Sequence, residues 1–129
     1  MKKTLVILSV VIAIVVLFAN TKVTAQVLYV EKWNVLPDKM EAYAKWTQSA
    51  IRRTTAVPGV IEFRGYRAAT GGHRVVITYE FADMATWAAW ESNEENQKVL
   101  NELSTLVTDL TRELWGPSPF VPKPIRPGK

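Results

Sequence analysis

The sequence predicts one small α+β domain, an antiparallel sheet with helices on one face, carried behind an N-terminal export signal. Three observations predict it. The chain opens with lysines followed by a short apolar run. The remainder has the length of a single domain and switches between strand-like and helix-like patterns. A proline-rich stretch after Gly116 marks the end of the folded part.

Lys2 and Lys3 precede an apolar run from Leu5 to Ala19 that is broken only by Ser9. A basic start and a short apolar segment are the two leading parts of a secretion signal. The run is shorter than the roughly 20 apolar residues of a spanning helix. Val23 and Ala25 sit where signal peptidase reads small side chains. Residues 1–25 are therefore read as the signal, with Gln26 as the new N-terminus. The alternative is an uncleaved anchor, in which case only this segment engages the membrane. Either way the domain is exported, to the periplasm or the medium. The sequence has no cysteine, which excludes disulfides, thiolate metal sites and a cysteine nucleophile. The formal charge of +4 overstates the basic character, because Lys2, Lys3 and Lys22 leave with the signal. Residues 26–116 carry a slight acidic excess, so no surface for nucleic acid is expected.

The elements follow in order. Val27 to Val35 is rich in β-branched and aromatic residues and reads as a strand. One face carries Val27, Tyr29, Glu31, Trp33 and Val35, the other Leu28, Val30, Lys32 and Asn34. Pro37 and Asp38 open a helix with the stripe Met40, Tyr43, Thr47, Ala50, Ile51 and Thr54, stopped by Pro58-Gly59. Val60 to Ala69 and Arg74 to Phe81 form a hairpin around Thr70-Gly71-Gly72. Asp83 caps a short helix, Met84 to Glu91, that bears Trp87 and Trp90. Ser92 and Glu95 have the spacing of a capping box for a further helix, expected to run to Trp115 on the stripe Val99, Leu100, Leu103, Leu106, Val107, Leu110 and Leu114. The tail, residues 117–129, offers at most a short edge strand near Phe120-Val121. This order, β-α-β-β-α-α with a possible short final strand, describes a ferredoxin-like α+β sandwich.

The run Val35-Leu36-Pro37-Asp38-Lys39-Met40, the turn Val57-Pro58-Gly59-Val60, and Tyr79-Glu80-Phe81-Ala82-Asp83 before a Trp-bearing helix together resemble the antibiotic biosynthesis monooxygenase-like family of the dimeric α/β-barrel superfamily. The resemblance covers residues 27–115. It implies a homodimer with a pocket between sheet and helices in each subunit. Members include cofactor-independent oxygenases of aromatic compounds, heme-degrading enzymes and proteins of no known activity. Trp90 matches a tryptophan over the pocket of the heme-degrading members. Glu31 stands where those members place asparagine, and Leu100 where they place the iron-ligating histidine. Without that imidazole no heme, and no other cofactor, is expected.

The residues carry a modest chemistry. The single histidine, His73, falls in the hairpin turn, a poor place for a triad or a metal site, and no metal is expected. The ligand pocket is expected to draw on Glu31, Trp33, Trp87 and Trp90, since aromatic walls with a few polar groups suit flat organic ligands. An oxygenase without cofactor must stabilise a substrate carbanion or enolate. Asn34, Arg64 and the Trp90 indole N–H are the candidate donors, with Glu62 a further polar strand residue. If Trp90 is a pocket wall packed on one side only, Trp90→Ala should destabilise less than Leu103→Ala. The function expected is an exported protein binding a small hydrophobic or aromatic molecule, with a cofactor-independent monooxygenase as its catalytic form. The alternatives are a non-catalytic binding or stress-related protein on the same fold, or a structural dimer on an uncleaved anchor.

Overall fold

The computed structural model describes residues 26–128; the export-signal reading concerns residues outside that range. Strand β1 (Val27–Val35) leads through a 3-10 turn (Pro37–Lys39) into helix α1 (Met40–Ala56). The hairpin β2 (Glu62–Arg67) and β3 (Arg74–Phe81) follows, then helices α2 (Met84–Glu91) and α3 (Glu94–Ser104), and strand β4 (Val107–Trp115). The four strands form one sheet in the order β2-β3-β1-β4, antiparallel throughout. This is the ferredoxin-like arrangement, with the helices on one face of the sheet.

The main departure from the sequence reading is the last helix. It ends at Ser104, and Val107 to Trp115 is a strand, not a continued helix. Leu106, Leu110 and Leu114 do recur at helical spacing, but Val107, Thr108 and Thr111 favour a pleated backbone. Tertiary pairing decides the matter. Without β4 the outer edge of β1 would leave its N–H and C=O groups unpaired beside the core. β4 satisfies them from Leu28↔Trp115 to Val35↔Val107. The register shifts between Lys32 and Asn34, where Asp109 adopts φ 56° as a bulge residue.

Two smaller corrections concern ends. The cap of α3 is Asn93, whose side chain accepts from Glu95 N, and not Ser92. The tail forms no strand at Phe120-Val121, and its apolar side chains are exposed. The Asp83 cap is present: its carboxylate accepts from the Thr86 N–H at 2.8 Å and the Thr86 hydroxyl at 2.7 Å. No helix among the described residues is long and apolar enough to cross a membrane.

The core is divided. One cluster joins Val27, Tyr29, Tyr79, Phe81 and Trp90. A second joins Trp33, Val35, Leu103 and Val107. Helices α1 and α3 are clasped outside by Arg53, which donates to Glu102 at 2.7 and 3.1 Å and to Glu95 at 2.5 Å. At the turn before β2, Gly59 holds φ 121°, and a Cβ there would lie 2.8 Å from Thr86 Cγ2. Both the dihedral and the contact require glycine. Gly59→Ala is expected to cost about 1–3 kcal/mol by backbone strain, read as a lowered thermal midpoint. An unchanged midpoint would show that the turn has room to relax.

Candidate functional site

The gap between the two core clusters is a cavity of about 50 Å³ under α1 and α3. Alternation along β1 builds its floor: Tyr29, Glu31 and Trp33 all point toward the helices, and all three line the cavity. Tyr79 of β3 stands beside them, because Tyr79 pairs with Tyr29 across the ladder. Tyr43 and Trp46 close it from α1, and Trp90, Asn96 and Leu100 from α2 and α3.

Glu31 is the polar centre of this wall. It is only 7% exposed. Among the described residues its side chain has no ion pair and no hydrogen bond. Burial pushes its carboxyl up to about 7; the Glu91 charge adds to the shift and Arg112 partly offsets it. Burial also lifts the Tyr29 and Tyr79 hydroxyls above the usual phenol range, with the Glu31 charge reinforcing the shift. Both therefore remain neutral donors beside a carboxyl that titrates near neutrality. The Tyr43 hydroxyl accepts from Trp33 Nε1 at 3.1 Å, and burial raises it as well. Asn96 donates to the Trp90 carbonyl at 2.7 Å, which fixes its amide orientation and leaves Oδ1 buried without a partner.

The sequence-predicted residues divide between two faces. Glu31, Trp33 and Trp90 line the cavity. Trp87 does not; it lines a second, shallower cleft of about 370 Å³ between α2 and β4. The expected donor set of Asn34, Arg64 and Trp90 does not converge, and this is a correction. Asn34 occupies an even position of β1, on the face away from the helices, and donates to Asp109 at 2.9 Å. Arg64 pairs with Thr78, itself opposite Val30 on that same face. It is exposed and bridges to Glu62. Trp90 Nε1 is already committed to the Thr54 carbonyl at 3.0 Å. His73 is exposed in its turn.

Sequence reasoning misses Glu91 and Arg112. Arg112 donates to Glu91 at 2.5 Å and lies opposite Glu31 across the β1–β4 ladder. That relation depends on β4 being a strand, so a helical reading of those residues hides it. Asn96 is missed as well, since no local signal sets a buried amide apart from the polar surface of a helix. Among the described residues no group of three or more His, Asp or Glu is gathered as a metal centre.

Several solved structures share the fold. A cofactor-independent oxygenase from Streptomyces nogalater, SnoaB, superposes with TM-score 0.64 at 14% identity, over 76% of this chain and 98% of that one. A conserved protein from Methanosarcina mazei gives 0.64 at 16% identity, over 71% and 92%. A Mycobacterium tuberculosis protein, Rv0793, gives 0.63 at 16% identity, over 72% and 95%. At such identities the likeness is one of fold. No curated protein sequence matches the chain. The family model for antibiotic biosynthesis monooxygenases matches residues 26–102, and the chain therefore belongs to the antibiotic biosynthesis monooxygenase family.

Proposed function

We propose that this protein is an exported, dimeric, cofactor-independent monooxygenase of a small aromatic or hydrophobic compound, with Glu31 as its general base. The observation that carries the reading is one carboxyl, buried and unpaired among the described residues, in an otherwise aromatic cavity. A base of this kind works best when it titrates near the working pH, and Glu31 is held at about 7. The suited substrate bears an activated methylene. Glu31 takes one C–H proton, and the resulting carbanion is stabilised as an enolate by the neutral Tyr29 and Tyr79 hydroxyls. Reaction with dioxygen and loss of water then convert the methylene to a carbonyl. The named activity of the Streptomyces nogalater relative supports this class of chemistry.

Dimerisation is supported by the sheet face away from the helices, which exposes Leu28, Tyr66 and Trp115 at 38%, 50% and 54%. Export is supported by the lysine-led apolar N-terminus. A second reading, binding without turnover, is favoured by one observation: the indole of Trp90 and the amide of Asn34 already serve partners within the protein.

Anthrone is a suitable probe, because its methylene is activated and its oxygenation product absorbs strongly. The protein should accelerate oxygen uptake and quinone formation, and Glu31→Gln should lower the rate by about 10²–10⁴-fold, as loss of a general base does. Equal rates for the two proteins would remove Glu31 from the chemistry. Saturable binding of anthrone without turnover would establish the second reading.

A further inference from the structure

We propose that the cleft between α2 and β4 is the subsite for the body of a neutral, planar aromatic ligand, and that the Arg112–Glu91 pair is the partition through which its reactive end reaches Glu31. The proposal rests on the reading of Glu31 above and adds where the ligand lies and how it arrives. Size is the first argument. A dry cavity that accepts benzene measures about 150 Å³, three times the roughly 50 Å³ around Glu31. The inner space therefore takes the reacting edge of a ligand but not a whole ring system. The outer cleft, at about 370 Å³, falls within the range of about 300–1,000 Å³ that ligand pockets occupy.

Continuity is the second argument. Tyr29 and Glu91 line both spaces, so the two adjoin at those side chains. Glu91 is the last residue of α2, and Arg112 reaches it from β4, an edge strand of the sheet. The pair is partly exposed, 42% at Arg112 and 22% at Glu91. Such a pair contributes under about 1 kcal/mol, so it separates readily by thermal motion. Opening it joins the outer cleft to the wall that carries Glu31.

Chemistry selects the ligand. Trp87 and Leu114 give the cleft an indole face and an aliphatic face. The Trp87 Nε1 donor is buried with no acceptor among the described residues, and such a group costs about 1–3 kcal/mol until it is paired. The charges around the cleft are matched internally, Arg112 with Glu91 and Glu113 with Lys32 at 3.5 Å. Nothing is left over to hold an ionic ligand, so the ligand is neutral.

2-Naphthol is a fluorescent probe of this description. Leu114→Trp fills the outer cleft from an open position, while Leu100→Trp fills the inner cavity. Leu114→Trp should weaken 2-naphthol binding about tenfold or more, a change of some 1.4 kcal/mol, and Leu100→Trp should leave it within about threefold. The reverse pattern would overturn the proposal, as would binding untouched by either change or absent from the unaltered protein. If Leu114→Trp does not fold, Arg112→Ala decides the question by stopped flow. Removing the partition should speed the docking of the probe with its hydroxyl end toward Glu31 while its rings stay in the outer cleft, and an unchanged rate would overturn the proposal. Glu31→Gln separates the two readings. Its turnover reports on the base, whereas the 2-naphthol affinity of Leu114→Trp reports on the cleft whether or not Glu31 is the base.

Discussion

Trp90→Ala is expected to destabilise the protein by about 3–5 kcal/mol, the range for aromatic truncation in a packed core. The sequence alone suggests less, on the premise that a pocket wall is packed on one side only. The structure removes that premise. Trp90 is 3% exposed, no more than Leu103. Its ring lies 4.7 Å from Tyr79, 5.3 Å from Phe81 and 5.9 Å from Tyr29 between centroids. Its N–H holds the last turn of α1 through Thr54 O. The residue lines the cavity and is core at once, because the cavity lies inside the core rather than at its rim. Leu103→Ala should cost about 2–5 kcal/mol by the same mechanism, so the two variants should melt at similar urea concentrations. Trp90→Phe separates the contributions: the ring stays, the hydrogen bond goes, and the cost should fall to about 1–2 kcal/mol. A Trp90→Ala protein as stable as the parent would show that the aromatic cluster is not cooperative.

How much of the fold is legible in the sequence depends on how local each signal is. The alternation of β1 is legible because every second residue from Val27 to Val35 is apolar or aromatic except Glu31. That exception marks the wall of the cavity. The hairpin and the Asp83 cap are legible for the same reason, since turn glycines and a capping carboxylate act within a few residues. β4 is not, because leucines four apart satisfy a helix as well as they fill alternate strand and bulge positions. The edge of β1 that selects the strand lies some eighty residues away in the chain, roughly the full span of the domain. The misplaced donors have a related origin. Asn34 is adjacent to Trp33 in sequence, yet adjacent strand residues face opposite ways. The polar groups that do face Glu31, namely Glu91, Arg112 and the tyrosine hydroxyls, come from four different elements.

Glu31→Gln should make the protein more stable at pH 8 while removing its proposed activity. In the folded protein the carboxyl titrates at about 7 against an ordinary value of 4.5, chiefly because burial disfavours its charge. Below the ordinary value both folded and unfolded chains hold the proton, and Glu31 has no effect on stability. Between about 4.5 and 7 the unfolded chain releases it first, so the folded state binds more protons and stability falls as pH rises. At about 1.36 kcal/mol for each pKa unit, the loss at pH 8 is a little over about 3 kcal/mol. The groups facing Glu31 do not reverse this: Glu91 deepens the penalty, Arg112 offsets only part of it, and Tyr29 and Tyr79 stay neutral. A glutamine carries no charge to desolvate, so urea melts of Glu31→Gln should exceed the parent at pH 8 and converge with it at pH 4. Matching melts at both pH values would mean that Glu31 is solvated in the folded state. A carboxylate retained at that thermodynamic cost fits a side chain kept for its proton chemistry, since a neutral residue of the same size would make the better core.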